Sequence, residues 1–229
     1  MTEISPLFQN ALQAFGEPRD GKKPQAEFIA SARGRIPDSL VDFWVAYGWG
    51  IWLDGYFQLC DPARYRPILE TILEGDPDFN ASRSHVIGFS AFGSLLVWNE
   101  DHRVMDIDML YRRITCRAFF KGAATKADTA VAIAIGNVND AAYDPPDKVG
   151  KPVFKRVRSI CGQLDFGEIY RPKLEPALGG VIEAESFQRV SALEAMAIAA
   201  QLEPFTLFDS TKPTVPAVRR IGRGNGGSA

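Results

Sequence analysis

The chain has 229 residues, 46% hydrophobic and 24% charged, with 26 Lys and Arg against 28 Asp and Glu for a formal net charge of −2. That composition supports a large buried core, in one large domain or two modest ones, and excludes disorder over most of the length. Arg, Asp, Glu or Gly interrupts every apolar run short of the roughly 20 residues a membrane helix needs, and the opening Met1-Thr2-Glu3-Ile4-Ser5-Pro6 lacks the basic and apolar regions of a secretory leader.

In chain order, the first clear element is a helix opening at Ile36-Pro37-Asp38-Ser39-Leu40. Pro and Asp suit a first turn, and Leu40, Phe43, Trp44 and Tyr47 recur at helical spacing before Gly48 stops it. Trp49-Gly50-Ile51-Trp52 comes next, and Tyr56-Phe57-Gln58-Leu59 is a short run with strand character. Asp61 is a natural N-cap and Pro62 a natural first helical residue, so a second helix carries Tyr65, Ile68, Leu69, Ile72 and Leu73 on one face as far as Gly75. From His85 the period falls to two. Residues 85–89, 95–98 and 104–108 read as strands, 99–103 as a hairpin loop, and 114–120 as a further strand.

The second half is richer in helix. An Ala-rich helix spans 125–135 and stops at Gly136, 139–146 has loop composition, and Val153, Val157, Ile160, Cys161 and Leu164 define an amphipathic helix. Ser191 with Glu194 is a candidate capping box for a last helix bearing Leu193, Met196, Ala197 and Ala200. Together the elements predict an α+β chain: a helix-flanked, mainly antiparallel sheet followed by a smaller helix-rich domain packed on it.

Charge is unevenly spread. Every Asp and Glu precedes Lys212, while the end adds Lys212, Arg219, Arg220 and Arg223; without those four positive charges the net charge of −2 becomes −6. Residues 213–229 have few apolar side chains and are expected to form a disordered basic tail, which could also tether nucleic acid. Cys60, Cys116 and Cys161 are far apart and odd in number, which suits buried free thiols rather than disulfides or a zinc site.

Little in the sequence calls for catalysis. Histidine, the commonest general acid–base, occurs twice, as His85 and His102. The chain contains no G-x-S-x-G elbow, P-loop or dinucleotide fingerprint. The best enzyme signal is Glu100-Asp101-His102 followed by Asp106 and Asp108, whose alternation on a strand puts both carboxylates on one face where they could hold a hard cation. A polar face on an edge strand, with Met105, Ile107 and Met109 on the other, explains them equally. Such an enzyme would need these carboxylates to converge with Glu100 or His102 in a pocket.

A different surface suits a protein partner. Asp54, Asp61, Glu70, Glu74, Asp76 and Asp78 outnumber Arg64 and Arg66, making a locally acidic region that would attract a basic protein such as a nuclease. Trp49, Trp52 and Tyr56 lie close by, and aromatics on a loop supply interface anchors, although core packing would account for them as well. The candidate binding residues are therefore Trp49, Trp52, Asp54, Tyr56, Glu70, Glu74, Asp76 and Asp78.

Two sets of motifs carry a resemblance. Pro37-Asp38-Ser39-Leu40, Tyr47-Gly48-Trp49-Gly50, Gly55-Tyr56-Phe57-Gln58-Leu59 with Asp61-Pro62, and Ile87-Gly88-Phe89-Ser90-Ala91-Phe92-Gly93 with Val97-Trp98 resemble the GAD-like domain of bacterial proteins. A looser similarity extends to the immunity-protein superfamily with Smi1/Knr4-type domains. Gly162-Gln163-Leu164, Glu168-Ile169-Tyr170, Pro176-Ala177-Leu178-Gly179-Gly180 and Phe205-Thr206-Leu207-Phe208-Asp209 resemble the domain that follows it in type VI secretion immunity proteins. The resemblance divides the chain into 1–121, 122–212 and the tail 213–229. It implies an immunity protein, without catalytic residues or cofactors, that binds a cognate toxin, expected to be a DNase, and inhibits it stoichiometrically; the lack of a leader or membrane span in the sequence adds the expectation of a cytoplasmic location. Direct binding to nucleic acid or membrane is not expected.

Overall fold

The computed structural model describes residues 4–139 and 142–222. Its first helices are α1 (Pro6–Phe15), α2 (Ala26–Ala32) and α3 (Asp38–Tyr47), with strand β1 (Arg19–Lys22) after α1. Then come β2 (Trp49–Trp52), β3 (Phe57–Leu59), α4 (Pro62–Ile72), β4 (Ser84–Ser90), β5 (Leu95–Asn99), β6 (Arg103–Asp108) and β7 (Arg113–Thr115). The remainder supplies α5 (Arg117–Lys121), α6 (Ala127–Gly136), α7 (Phe154–Cys161), β8 (Glu168–Pro172), β9 (Phe187–Ser191), α8 (Ala192–Leu202), β10 (Phe205–Phe208) and β11 (Ala217–Ile221).

Nine strands form one sheet in the order β1-β2-β3-β4-β5-β6-β7-β10-β11, and β8 pairs with β9 separately. Every pairing in the large sheet is antiparallel except that of β7 with β10. The α+β class expected from the sequence is thus present, and the sheet is covered on both faces. Alternation decides which residue goes where. Val86, Leu95, Val97, Met105, Ile107 and Ile114 pack with Tyr65, Ile68 and Leu69 of α4 and Met196 and Ala199 of α8. Ile87, Leu96 and Trp98 point the other way, onto a second core with Phe8, Leu40, Phe43, Trp44, Val131 and Ile135. Because both faces are covered, β4 and β5 are buried at every position and show no exposed alternate.

Asp61 caps α4 as its sequence suggests, its side chain accepting from Ala63 N at 2.9 Å. Three expectations change. The strand expected over 114–120 stops at Thr115, and 117–121 is helical. Ser191 makes no side-chain cap on α8; the amide of Ala192 is satisfied instead by the Gly167 carbonyl at 2.8 Å. Strands from either side of 121/122 share the large sheet, since β10 and β11 extend it beyond β7. The tail expected to be disordered contributes β11: Ile221 is fully buried, and Arg219 forms ion pairs with Asp76 and Asp78. The local composition of 213–222 is poor in apolar residues, but a sheet edge supplies backbone partners and the acidic loop supplies a counter-charge. Residues 223–229 of that tail lie outside the described residues.

Candidate functional site

The eight residues singled out for partner binding fall into two groups. Trp49, Trp52 and Tyr56 are 8%, 1% and 1% exposed. They are core residues rather than surface anchors: Trp52 packs edge-on against Phe43 and Trp49 against Trp44, and Tyr56 meets Phe154 at 4.9 Å. Asp54 is largely exposed and pairs with Arg158 at 3.2 Å. Glu70 is exposed and Glu74 half-buried on and just beyond α4. Asp78 is exposed, but the Asp76 side chain is fully buried beneath Arg219. Burial would raise the Asp76 pKa; hydrogen bonds from Arg219 and the amides of Phe79 and Asp78 outweigh it and hold the carboxyl below its ordinary value. Arg219 therefore already answers much of the acidity in this region.

The convergence that the enzyme alternative requires, of Asp106 and Asp108 with Glu100 or His102, does not occur in one cleft. Asp106 and Asp108 do share a face of β6 and line a cleft of about 560 Å³ together with Tyr143 and Asp144. β6 is an interior strand between β5 and β7, so the edge-strand explanation does not hold either. Glu100 and His102 do not line this cleft. Glu100 instead bonds His85 Nε2 at 2.9 Å and accepts from Arg35 at 3.0 Å. Burial keeps His85 below its ordinary pKa despite that carboxylate. His102 packs between the rings of Phe79 and Phe119. Among the described residues no group of three His, Cys, Asp or Glu could hold a metal ion.

Within the cleft, Asp106 accepts from the Tyr143 hydroxyl at 2.7 Å, and Asp108 accepts from the amides of Leu110 at 2.9 Å and Tyr111 at 3.1 Å. Burial raises both carboxyls above their ordinary values, and the charge of Asp108 adds to the effect on Asp106. Asp144 caps α7, accepting from Val153 N at 2.8 Å and Phe154 N at 2.9 Å. Tyr143 and Tyr111 were not legible as site residues. Tyr143 lies in a segment with loop composition, and for Tyr111 the available signal was Asp108 three residues earlier, the spacing of an Asx turn.

The residues that carry the sequence resemblance meet in a seam. Gln58 Nε2 donates to the Glu168 carbonyl and its Oε1 accepts from Gly167 N, both at 2.8 Å. Tyr170 N donates to the Ala91 carbonyl at 2.7 Å, and Phe92 packs against Tyr170 and Phe187. Gly88 is needed here because a Cβ would stand 2.5 Å from the Phe57 ring and 2.8 Å from the Gln58 carbonyl. The family model of the GAD-like domain matches residues 6–111. Over that region the chain belongs to the GAD-like family. Beyond that region it is similar to a solved protein over nearly its whole length: the crystal structure of Atu4351 from Agrobacterium tumefaciens is 45% identical, covers 94% of this chain and 98% of its own, and superposes with a TM-score of 0.91. No curated protein matches. The motifs of the GAD-like region are thus architectural: Gln58, Ala91 and Phe92 join that region to the segment from Gly162 to Tyr170, and Gly88 leaves room for Phe57 and Gln58. Among the described residues no helix is long and apolar enough to cross a membrane.

Proposed function

We propose that this GAD-like protein is an immunity protein that binds a cognate type VI secretion toxin, a DNase, and neutralises it by stoichiometric protein–protein inhibition, with no chemistry of its own. The observation that carries this reading is the joint pattern of motifs. The GAD-like region is followed in order by Gly162-Gln163-Leu164, Glu168-Ile169-Tyr170 and Pro176-Ala177-Leu178-Gly179-Gly180, the arrangement that resembles type VI immunity proteins. The seam adds support, because the two sets of motifs hydrogen-bond to each other through Gln58 and Ala91. They therefore act as one unit and not as unrelated neighbours. His85 and Glu100 hydrogen-bond to each other, and Glu100 also pairs with Arg35 and Arg83, a structural use of these groups that accords with a binding role.

A neutralising protein needs a tight interface, not a reaction centre, so the test is binding joined to loss of the partner's activity. Nuclease toxins encoded in the same genome are co-purified with the full chain, and DNA cleavage is assayed with and without it. One nuclease should bind and fall silent at about one molar equivalent. Failure of every such nuclease to bind, or cleavage that continues in the complex, would sink the reading.

A further inference from the structure

Three features meet at the turn between β6 and β7. Tyr111 stands 42% exposed at its tip. The turn beneath it is held from both sides: Asp108 accepts the amides of Leu110 and Tyr111, and Arg112, with a left-handed φ of 54°, buries its guanidinium against α8. Arg112 donates to the Ala199 carbonyl at 2.7 Å and to that of Glu203, and lies 4.2 Å from the Phe205 ring. A left-handed residue without glycine's freedom persists where surrounding contacts over-determine it. Tyr111 is therefore presented on a rigid base and would lose little freedom on binding.

The two flanks differ in chemistry. On one side lies the cleft with Asp106, Asp108 and Asp144; Arg113 is the cation that lines it, and its guanidinium is stacked 4.3 Å over Phe208. On the other side Tyr111 shares a second cleft, of about 480 Å³, with Pro176 and Ala177. The loop bearing those residues also exposes Leu174, Leu178 and Val181 by 51%, 60% and 59%. Single exposed apolar residues are ordinary, but three fall in the short loop that brings Pro176 and Ala177 to the cleft of Tyr111, which gives that loop the composition of an interface core.

We propose that Tyr111 with Leu174, Leu178 and Val181 forms the docking face for the protein partner, and that the partner places a Lys or Arg of a basic segment in the adjoining Asp106/Asp108 cleft. The inference rests on the protein-binding reading above and names its surface. Charge complementarity selects the occupant: three carboxylates line the cleft against one stacked arginine, and a guanidinium entering it would gain charge-assisted hydrogen bonds in a partly desolvated site. The acidic loop beyond α4 is the weaker candidate because Arg219 already pairs with Asp76 and Asp78.

The experiment compares the full wild-type chain with Tyr111→Ala/Leu178→Ser, Asp106→Asn/Asp108→Asn and, for the rival surface, Glu70→Gln/Glu74→Gln, each checked for folding by circular dichroism. Affinity for the captured nuclease should fall at least tenfold in the first two and less than twofold in the third. A loss confined to the α4 variant overturns the docking face and leaves the immunity reading intact. If no nuclease binds, the immunity reading fails separately, and titration with a hexa-arginine peptide followed by amide NMR decides the surface. Shifts over 106–113 and 174–181 that vanish in Asp106→Asn/Asp108→Asn support it; absent shifts, or shifts centred on α4, overturn it. A wild-type dimer by light scattering that Tyr111→Ala dissolves would also overturn it, by giving the face to a second copy of this chain.

Discussion

Gln58 has no exposed surface and uses both ends of its amide across the seam. Truncation to alanine would strand the Gly167 amide and the Glu168 carbonyl in a dry environment, at about 1–3 kcal/mol for each unsatisfied group. Gln58→Ala should therefore lose about 2–6 kcal/mol in urea unfolding; a loss under about 0.5 kcal/mol would mean that water replaces the side chain. Asp106 behaves in the opposite sense. Its folded pKa is raised above 3.8, first by burial, so the native state favours the protonated form. That contribution is complete below pH 3.8 and is lost as pH rises through the folded value, which leaves the ionised carboxylate a net cost at pH 7. Asp106→Asn keeps an acceptor for the Tyr143 hydroxyl and removes the charge. The variant should be more stable than wild type at pH 7, with the gain shrinking as pH falls toward 3.8; thermal unfolding at pH 7 and 3.5 would reveal the reverse if the charge has an unseen partner.

Among the elements, β11 ties the end of the chain to its middle. Arg219 covers the fully buried Asp76 side chain and also reaches Asp78, while Ile221 enters the core beside α4 and α8. Removing one partner of a buried pair costs about 3–5 kcal/mol. With Arg219 itself 24% exposed and two backbone amides still serving Asp76, Arg219→Ala should cost less, about 2 kcal/mol. Because Asp76 has a lowered pKa, its contribution is present above 3.8 and is lost as pH falls through the folded value. The gap between wild type and Arg219→Ala should therefore narrow in acid, and urea titrations at pH 7 and 3 would measure it. An unchanged gap would show that the effect comes from lost packing of the arginine stem.

For the whole molecule, the cores decide what can fold alone. One of them joins Val86, Leu95, Met105 and Ile107 from the first half to Met196, Phe205, Leu207 and Ile221 from the second. Another joins Tyr56, Ala91 and Phe92 to Phe154, Leu164, Tyr170 and Phe187. A fragment of residues 1–121 would expose one face of β5, β6 and β7 and the open seam at Tyr56 and Phe92. It should bind a hydrophobic dye and unfold without a sharp transition, whereas the full chain should unfold in one cooperative step. A cooperative 1–121 fragment, followed by circular dichroism in urea, would instead make the GAD-like region an independent unit.

Local signals carried much of this far. Helix α3 after Pro37-Asp38, the Asp61 cap on α4, the apolar runs of β4 and β5 and the alternation of β6 were legible because capping, spacing and local pattern act within a few residues. The family was legible too, since Gly88 and Gln58 are set by close contacts that admit few other side chains. The placement of Trp49, Trp52 and Tyr56 in the core, the ordering of 217–221 and the separation of Glu100 from Asp106 were not. Each depends on tertiary neighbours, the most distant being Phe154 for Tyr56 and Asp76 for Arg219, and composition carries no record of that. The sequence by itself determined the elements, the α+β class and the motifs of the family. The tertiary structure decided which charges are already answered, which aromatics are buried, and that Tyr111 stands free between an acidic cleft and an apolar loop, because burial and charge pairing are properties of distance in space and not along the chain.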